Sequence, residues 1–555
     1  MEKIWLKSYP EGVPADITQE ASAYPSLTAM MLESCEQYKD RVAYDSMSST
    51  ITYGELEQRS AHFGAWLQSI GVQKGERVAL MMPNILQYPI CLLGTLRIGA
   101  AVVNTNPLYT ASELKHQLSD SGATTIVIAE NFAHTLQEVI HETQIKNVVV
   151  TSLGELLGGL KGPITDFVVR RVKKLIPPWS LPGAVKLRDA LKIGAQQRLA
   201  EPVLSQDDLA LLQYTGGTTG VAKGTILTHG NMVHNVCQAQ AWVRPYIDTT
   251  NAGSVVTALP LYHIFAFTAN CLVFMRLGAR NLLIVNPRDI KTFVKELDKA
   301  PFSYLTGVNT LFNALLQSDD FKKLDFSAFQ IALGGGMAVQ EAVAKRWLQV
   351  TGVPISQAYG LTETSPAATI NPMDATEFTG SIGLPIPSTD IAIRDDAQHD
   401  MPIGESGEIC IRGPQVTPGY WNRPDETKKA FDDDGFLRTG DIGYMNEAGY
   451  IYILDRKKDM ILVSGFNVYP NEIEAVAIEH PDIIEAAAIG IPDEHSGEVV
   501  KLYVISRNPN LTQEEVIAHL RKRLTSYKIP KVVDFRDDLP RTNVGKVLRR
   551  KLKEL

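Results

Sequence analysis

Residues 214–224, YTGGTTGVAKG, carry the most information about how this chain folds and what it binds. They follow an apolar run at residues 209–212 and precede TILT at residues 225–228, so the sequence predicts two strands joined by a glycine-rich loop. Glycines let backbone N–H groups approach an anion, threonines add hydroxyl donors, and the lysine adds positive charge. Residues 209–247 contain no Asp or Glu, so we expect a phosphate site without a nearby acidic residue.

Two other interpretations of this loop are weaker. Its spacing differs from the Walker loop G-x-x-x-x-G-K-[ST], and a predicted strand rather than a helix follows it. A glycine-rich hairpin without a ligand does not need three threonine hydroxyls and a lysine. The candidate phosphate-binding residues are therefore Tyr214, Thr215, Gly216, Gly217, Thr218, Thr219, Gly220 and Lys223.

Composition excludes several classes of protein. The chain has 555 residues, of which 45% are hydrophobic and 21% charged, so it can bury several cores and is not globally disordered or fibrous. A formal net charge of -8 argues against broad attraction to nucleic acid. Dispersed cysteines without a CxxC pair argue against a zinc site or a disulfide framework and fit a reducing compartment. The cysteines are Cys35, Cys91, Cys237, Cys271 and Cys410.

The sequence predicts a cytoplasmic protein. Residues 1–7, MEKIWLK, lack the apolar core of a secretory signal. Residues 88–103 are the nearest candidate for a membrane span, but Arg97 and two glycines interrupt them, and a span needs about 20 apolar residues. We therefore expect residues 88–103 to be buried within the protein.

Alternating helical and strand patterns predict an α/β protein. Residues 56–67 have helical spacing, whereas residues 77–81 and 125–128 resemble short strands. Near residue 455 the composition changes, and a compact pattern of about 100 residues follows, which is enough for a small domain. We expect an N-terminal domain at residues 1–455 and a C-terminal domain at residues 456–555.

The C-terminal domain has its own strand and helix signals. Residues 499–506 resemble a strand, and Thr512-x-x-Glu515 is a capping box that precedes an amphipathic helix. The polar run at residues 455–459, DRKKD, is the expected hinge.

Residues 167–181 combine apolar residues with four basic ones and end near two prolines and Trp179. One interpretation is a solvated surface helix ended by proline. The other is a peripheral segment that contacts anionic lipid on the inner face of the membrane, with Trp179 at the headgroup level. The sequence leaves both open. The basic residues are Arg170, Arg171, Lys173 and Lys174.

Six further motifs occur in order along the chain. They are PLYH at 260–263, GGG at 334–336, YGLTE at 359–363, RTGD at 438–441, DRKK at 455–458 and NVGK at 543–546. With the glycine-rich loop, they make nearly the whole chain resemble the acyl-adenylate-forming enzymes, which include acyl-CoA synthetases, luciferases and the adenylation domains of peptide synthetases. The resemblance implies a large N-terminal domain of α/β subdomains with a small barrel-like β subdomain, and a mobile small α+β C-terminal domain.

The YGLTE motif offers an aromatic face, a turn, a hydroxyl and a carboxylate within five residues. Tyr359 can stack on adenine, and Glu363 can bind Mg²⁺ together with phosphates; without the resemblance, a turn with a solvated glutamate is the alternative. The resemblance implies that Tyr359 and Gly360 adjoin adenine, that Thr362 contacts the α-phosphate or the acyl carboxylate, and that Glu363 binds the metal. It also assigns Gly334, Gly335, Gly336 and Gln357 to the adenine pocket.

Two residues are ambiguous when taken alone. Asp441 follows Thr-Gly, where an aspartate is often only a turn residue, but its carboxylate can accept hydrogen bonds from ribose hydroxyls. The resemblance assigns Asp441 and Arg456 to the ribose. His263 lies in an aromatic and apolar run that is typical of a core, and the resemblance places it near the acyl carboxylate as a pocket wall.

Lys546 carries the sharpest expectation. Attack of a carboxylate on the α-phosphate brings two anions together, and unit charges 4 Å apart repel by about 1 kcal/mol in water and about 4 kcal/mol at a dielectric near 20. A cation between them in the transition state removes that barrier. The surrounding basic residues favour a solvent-facing tail, whereas the resemblance implies that Lys546 is the catalytic lysine.

The resemblance also implies a second stage. Acyl-AMP reacts with the thiol of CoA after the small domain turns about Lys458, which withdraws Lys546 and brings Gly465 to the pantetheine arm. Residues 261–267, LYHIFAF, contain no acidic residue for a substrate amine and suit a hydrocarbon tail.

We therefore expect a long-chain fatty acid–CoA ligase that uses ATP, Mg²⁺ and CoA and supplies fatty acid degradation. The alternatives are a medium-chain or aryl acid–CoA ligase, a luciferase-like oxygenase, and a non-catalytic nucleotide or fatty acid sensor. Nothing in the sequence indicates an oligomeric state.

Overall fold

A computed structural model describes most of the chain. The described residues are 2–215, 222–248, 253–493, 495–542 and 545–555. They form a mixed α/β structure with four β-sheets, which confirms the predicted fold class. Helices pack against and between the sheets, and the first two sheets share one continuous hydrophobic core.

A seven-stranded sheet contains the strand that leads into the glycine-rich loop. Its pairs are parallel except for the last one, in which the strands on either side of the loop run antiparallel. The strands predicted at residues 77–81, 125–128, 209–212 and 225–228 are all confirmed, and the first has the predicted limits. In spatial order the strands are Val185–Lys186, Asn147–Thr151, Thr125–Ala129, Arg77–Met81, Ala101–Asn104, Leu209–Thr215 and Lys223–Thr228.

A nine-stranded sheet lies beside it, and its central strands are parallel. Loops that leave the carboxyl ends of such strands are the usual place for a ligand in an open α/β sheet. The GGG and YGLTE motifs lie at these ends. In spatial order the strands are Leu384–Pro385, Ala367–Ile370, Ile355–Gly360, Ile331–Gly334, Tyr304–Gly307, Ser254–Thr257, Arg280–Leu283, Val42–Ser46 and Ser49–Thr52.

An antiparallel sheet of four strands corresponds to the small β subdomain expected from the resemblance. Its register sets Asp441 directly opposite Arg456, because the last two strands pair along most of their length. The strands are Asp390–Arg394, Gly407–Arg412, Leu437–Met445 and Ile451–Arg456.

The C-terminal residues form a fourth sheet with hydrophobic clusters of its own. The strand predicted at residues 499–506 is confirmed within Gly497–Ser506, and the Thr512–Glu515 capping box is present. This sheet consists of Phe466–Val468, Ile461–Val463, Gly497–Ser506, Ile483–Asp493 and Val532–Phe535.

The helices alternate with the strands. The helix predicted at residues 56–67 is confirmed within Tyr53–Ser69, which a capping box from Thr52 begins. The helices are Thr18–Ser22, Leu27–Gln37, Tyr53–Ser69, Gln87–Arg97, Ala111–Ser121, Ala133–Val139, Lys161–Phe167, Leu187–Gly194, His229–Val243, Ile264–Ala266, Phe274–Arg276, Ile290–Leu297, Asn309–Leu316, Glu341–Thr351, Pro424–Ala430, Pro470–Ile478, Gln513–Leu520 and Arg549–Lys553, with π-helical turns at Val168–Val172 and Phe267–Val273.

The apolar stretch at residues 88–103 is buried, as predicted. It forms most of helix Gln87–Arg97, all of whose residues are buried, and then a buried strand. Arg97 is accommodated because its guanidinium makes ion pairs with Glu57 and Glu201. Among the described residues, no helix combines the length and hydrophobicity that crossing a membrane requires.

Residues 167–181, the basic segment, agree only in part with the predicted surface helix ended by proline and with the predicted lipid-contacting segment. Helix Lys161–Phe167 continues into a π-helical turn that ends at Val172, before the prolines. Arg170 binds the buried carboxylate of Glu130, and Trp179 packs against a hydrophobic cluster, so both side chains have partners within the protein. Exposed apolar side chains are present instead, and we call them the apolar patch. They are Leu160, Ile164, Phe167, Val172 and Leu175.

All five cysteines are buried and unpaired. Burial raises the pKa of Cys35, Cys237, Cys271 and Cys410 to about 12, and it raises the pKa of Cys91 well above its usual value. They are core residues, and none of the five forms a disulfide.

Candidate active site

A cavity of about 650 Å³ lies where the carboxyl ends of strands from the two large sheets meet the C-terminal residues. This volume is typical of a small-molecule site. One end is polar and includes Tyr359, Thr362, Arg456 and Lys546. The other end is apolar, and its lining residues include Val243, Leu259, Ile264, Phe265, Val273, Phe274, Tyr304, Leu305, Val308, Ile331, Leu333, Ile370 and Met373.

Four of the six predicted adenine residues meet at the polar end, whereas Gly334 and Gln357 do not line the cavity. Gly335, Gly336, Tyr359 and Gly360 line the cavity. Gln357 has its side chain committed to the backbone, since it accepts from the Val339 N–H and donates to the Ser381 carbonyl. It therefore shapes the loop after strand Ile331–Gly334, which Gly334 ends.

The turn at residues 359–363 requires glycine at its centre. A Cβ on Gly360 would lie 1.7 Å from the carbonyl oxygen of Pro366, so no other residue fits without moving the backbone. Thr362, two residues further along the chain, lines the cavity. The Glu363 carboxylate accepts a 2.8 Å hydrogen bond from the Tyr420 hydroxyl.

Asp441 and Arg456 are adjacent, as the resemblance implies. Arg456 Nε lies 3.1 Å from Asp441 Oδ1, and the Tyr359 hydroxyl donates to Asp441 Oδ2 at 2.7 Å. Burial, and then the charge of Asp441, raises the pKa of Tyr359, so the phenol stays protonated. The site therefore presents a buried carboxylate beside an aromatic face, which suits a ribose next to an adenine.

The glycine-rich loop is described only at its ends. Tyr214 and Thr215 line the cavity, whereas Gly216, Gly217, Thr218, Thr219 and Gly220 lie outside the described residues. The Tyr214 hydroxyl donates to Asp120, and the Lys223 ammonium forms an ion pair with Glu426.

The expectation that no acidic residue lies near this loop is wrong. The local sequence has none, but the fold brings Asp120 and Glu426 to the loop from a helix of the first sheet and from helix Pro424–Ala430. Asp120 accepts the hydrogen bond of the Tyr214 hydroxyl, and Glu426 neutralises the charge of Lys223. Both donors therefore already have a partner before a phosphate binds. Sequence reasoning missed these residues because each contact joins positions that lie far apart along the chain.

Lys546 lies on a tight hairpin that enters the cavity. The Thr542 N–H donates to the Lys546 carbonyl at 2.7 Å, and the Lys546 N–H donates to the Thr542 hydroxyl at 3.1 Å. Gly545 has φ +84°, and a Cβ there would lie 2.7 Å from the Thr310 hydroxyl, so glycine lets the hairpin sit against helix Asn309–Leu316. The motif residues at positions 543 and 544 lie outside the described residues.

The surroundings of Lys546 make its ammonium more acidic than that of an exposed lysine. Burial, and then the positive charge of Arg456, lowers the pKa of Lys546 to about 8. Among the described residues no carboxylate lies within ion-pair distance of this ammonium. Lys546 therefore presents an unpaired cation at the polar end of the cavity.

His263 also lines the cavity. Burial, and then the charge of Lys546, lowers the pKa of His263 to about 4, so the ring is neutral at pH 7. Its Nδ1 accepts the Phe265 N–H at 3.3 Å. A neutral ring committed to its own helix fits a pocket wall.

The two residues expected to act in the second stage lie away from the cavity. Gly465 forms an exposed turn with φ +83° between strands Ile461–Val463 and Phe466–Val468. Lys458 lies in the turn after strand Ile451–Arg456, and burial lowers its pKa. The structure thus joins Lys546, and not Gly465, to the polar end.

Comparison with known proteins identifies the family of the whole chain. Residues 31–421 match the family model described as AMP-binding enzyme, and residues 472–546 match the model described as AMP-binding enzyme C-terminal domain. A long-chain-fatty-acid–CoA ligase of Yersinia pestis is 54% identical over 100% of this chain and 98% of its own length. One from Escherichia coli O6:H1 is 52% identical with the same coverage.

Solved structures agree in fold. The ATP-bound crystal structure of MatB from Rhodopseudomonas palustris is 28% identical and superposes with a TM-score of 0.82. The match covers 95% of this chain and 98% of that one.

Proposed function

Since this chain belongs to the AMP-binding enzyme family, we propose that it is a long-chain fatty acid–CoA ligase. It activates a fatty acid with ATP to acyl-AMP and pyrophosphate, then transfers the acyl group to CoA and releases AMP. The product supplies fatty acid degradation. The observation that carries this function is the single cavity, which joins a polar end suited to a nucleotide to an apolar end suited to a hydrocarbon chain.

The polar end binds ATP. Adenine stacks on Tyr359, the ribose hydroxyls bind Asp441 and Arg456, and the triphosphate binds the loop from Tyr214 to Lys223. A carboxylate such as Glu363, together with phosphate oxygens, is the donor set that Mg²⁺ prefers, since this ion is usually held by one or two carboxylates and the substrate phosphates. Bound there, Mg²⁺ would neutralise phosphate charge.

Lys546 makes the first step fast. The fatty acid carboxylate attacks the α-phosphorus, an oxygen–phosphorus bond forms, and the bond to the bridging oxygen breaks to release pyrophosphate. The unpaired ammonium of Lys546 stabilises the negative charge that accumulates between the two reactants. Thr362 orients the same oxygens, and neutral His263 borders the carboxylate without taking a proton.

The second step needs a different arrangement of the C-terminal residues. The CoA sulfur attacks the acyl carbon, AMP leaves, and the thiol proton passes to solvent. We assign residues 1–455 and 456–555 to two domains that turn about Lys458, so that Gly465 replaces Lys546 at the cavity and leaves room for the pantetheine arm.

A panel of acids tests the substrate class. Each buried methylene contributes about 0.8 kcal/mol, or about fourfold in affinity, so thioester formation should rise steeply from octanoate through laurate to palmitate. Cinnamate serves as the aryl comparison. Fast turnover of cinnamate beside slow turnover of palmitate would reject the long-chain assignment.

We also propose that the apolar patch contacts the inner face of the membrane. Its exposed side chains adjoin the exposed cations of Arg171, Lys173 and Lys174, and apolar area beside positive charge is the combination that binds anionic lipid surfaces. A peripheral position would give the enzyme access to a poorly soluble substrate.

Sedimentation with anionic vesicles tests this contact. Replacing Phe167 and Val172 with Ser should reduce the bound fraction severalfold, and replacing the three basic residues with Gln should make binding weaker and less sensitive to salt. Val203→Ser is the matched control, because Val203 is 92% exposed and does not belong to the segment that contains the patch. Unchanged binding of both patch variants would reject the patch.

A further inference from the structure

Residues 417–421 form a short extended segment along the outer edge of the seven-stranded sheet. The Ile226 N–H donates to the Gly419 carbonyl at 3.0 Å, and the Trp421 N–H donates to the Gly224 carbonyl at 2.8 Å. The Thr417 hydroxyl adds a bond to the Ile226 carbonyl. The segment is thereby fixed to the strand that follows the glycine-rich loop.

The same segment is also fixed to the Glu363 turn. The Thr417 N–H donates to the Glu363 carbonyl at 2.8 Å, and the Tyr420 hydroxyl donates to Glu363 Oε1 at 2.8 Å. The loop and the turn, which are distant in sequence, are therefore connected through a short segment from a third region of the chain.

Tyr420 occupies the central position of this connection. Its hydroxyl binds Glu363, while its ring lies 5.2 Å below the ammonium of Lys223. Glu363 and Lys223 are the proposed metal-binding carboxylate and the proposed phosphate-binding cation. One side chain thus contacts both groups that would meet the triphosphate.

We propose that Tyr420 is a positioning residue for the nucleotide site. Its hydroxyl holds one carboxylate oxygen of Glu363 and leaves the other free for the Mg²⁺ ion that this carboxylate would hold, and its ring holds the Lys223 ammonium that would bind phosphate. This inference rests on the proposed function, because the groups that Tyr420 orients are those assigned to ATP.

The physical argument is one of rotational freedom. A glutamate side chain on a turn samples several rotamers. A contact that restricts it to one rotamer before the ligand binds lowers the entropic cost of binding. A hydrogen bond from a phenol to a carboxylate is charge-assisted and restricts that freedom. A merely structural tyrosine would affect folding stability without changing how nucleotide affinity depends on the metal.

Calorimetric titration with ATP, without fatty acid, separates these roles. In wild-type protein, ATP affinity should increase as Mg²⁺ is added to an EDTA-treated sample. In Tyr420→Phe, the Mg²⁺ concentration that gives half of this increase should rise about tenfold, whereas ATP affinity in EDTA should stay within about twofold of wild type. Tyr420→Leu, which also removes the ring, should weaken ATP binding in EDTA as well.

A double-mutant cycle identifies the partner of the hydroxyl. Glu363→Gln should abolish the metal-dependent increase, and adding Tyr420→Phe to it should cause no further loss, because the two changes remove the same interaction. Additive effects of the two substitutions would overturn the inference.

Tyr24→Phe is the matched control, since the Tyr24 hydroxyl donates to Glu33 in the same way at a position outside the cavity. It should leave both affinities unchanged. Equal metal dependence in Tyr420→Phe and wild type would overturn the positioning role while leaving the proposed function intact. Failure of wild-type protein to bind ATP at all would overturn both.

Discussion

The two lysines of the site, Lys223 and Lys546, differ in whether their charge is paired. Lys223 lies at the base of a hairpin within a large sheet, where Glu426 and the Tyr420 ring hold it in place. Lys546 lies on a hairpin from the C-terminal residues, and among the described residues its ammonium has no ion-pair partner. In the proposed function the first lysine is a paired cation of the phosphate site, whereas the second is an unpaired cation on the part of the chain proposed to move.

The difference shows how one chain can separate binding from chemistry. A paired cation loses part of its Coulomb energy to its partner but costs little to keep in place. An unpaired, partly desolvated cation is less stable, and its field is fully available to a developing negative charge. We therefore propose that Lys223 serves ATP binding and that Lys546 serves attack on the α-phosphate.

The largest expected effect is that of Lys546→Ala. Exchange between pyrophosphate and ATP should fall roughly 100- to 1,000-fold, because the charge that stabilises the transition state is lost. Thioester formation from supplied acyl-AMP should stay near the wild-type rate. Equal loss of the two half-reactions would show that Lys546 is not specific to the first one.

The pH profile tests the protonation state of this lysine. Below its pKa of about 8 the Lys546 ammonium is charged and active, and above it the charge is lost. The kcat/KM for acyl-AMP formation should therefore fall about tenfold for each unit above pH 8. In Lys546→Arg this alkaline decline should disappear, since a guanidinium stays protonated. A decline at the same pH in that variant would assign it to another group.

Lys223→Met should have a smaller effect than Lys546→Ala, and it should change the KM for ATP rather than kcat. The loss of a charged donor to phosphate should raise the KM for ATP about tenfold and change kcat little, because Lys223 binds ATP in the ground state as well as in the transition state. A fall in kcat with an unchanged KM would give Lys223 the role assigned to Lys546.

The smallest effect is expected for Glu426→Gln. This change releases Lys223 from a partly exposed ion pair, so the affinity for ATP should increase about threefold, as isothermal titration with ATP would measure. Asp425→Asn is the matched control, because it removes the same charge from an exposed side chain of the same helix. Weaker ATP binding in Glu426→Gln would mean that this carboxylate orients Lys223 rather than competing for it.

Local patterns were sufficient for much of the fold. Hydrophobic runs fixed the strands Arg77–Met81 and Leu209–Thr215, and the Thr512–Glu515 spacing fixed a helix start, because these features depend on neighbours within a few residues. Motifs also located Lys546, which lines the cavity. They likewise located Asp441 and Arg456, which form an ion pair in the structure.

Long-range contacts were beyond prediction. The pairing of Lys223 with Glu426 and the contact of Glu363 with Tyr420 depend on how residues 417–430 cross the edge of the first sheet, and no local periodicity encodes that path. The basic segment shows the same limit: its composition is amphipathic, but a buried Glu130 from another element captures Arg170.

The buried sulfurs have a consequence for an enzyme whose product is a thioester. A protein thiolate in reach of acyl-CoA would capture the acyl group and inactivate or mark the protein. Because burial keeps all five cysteines in the neutral thiol form, they are poor nucleophiles at physiological pH. We therefore expect the enzyme to resist acylation by its own product, so that CoA supplies the sulfur that reacts.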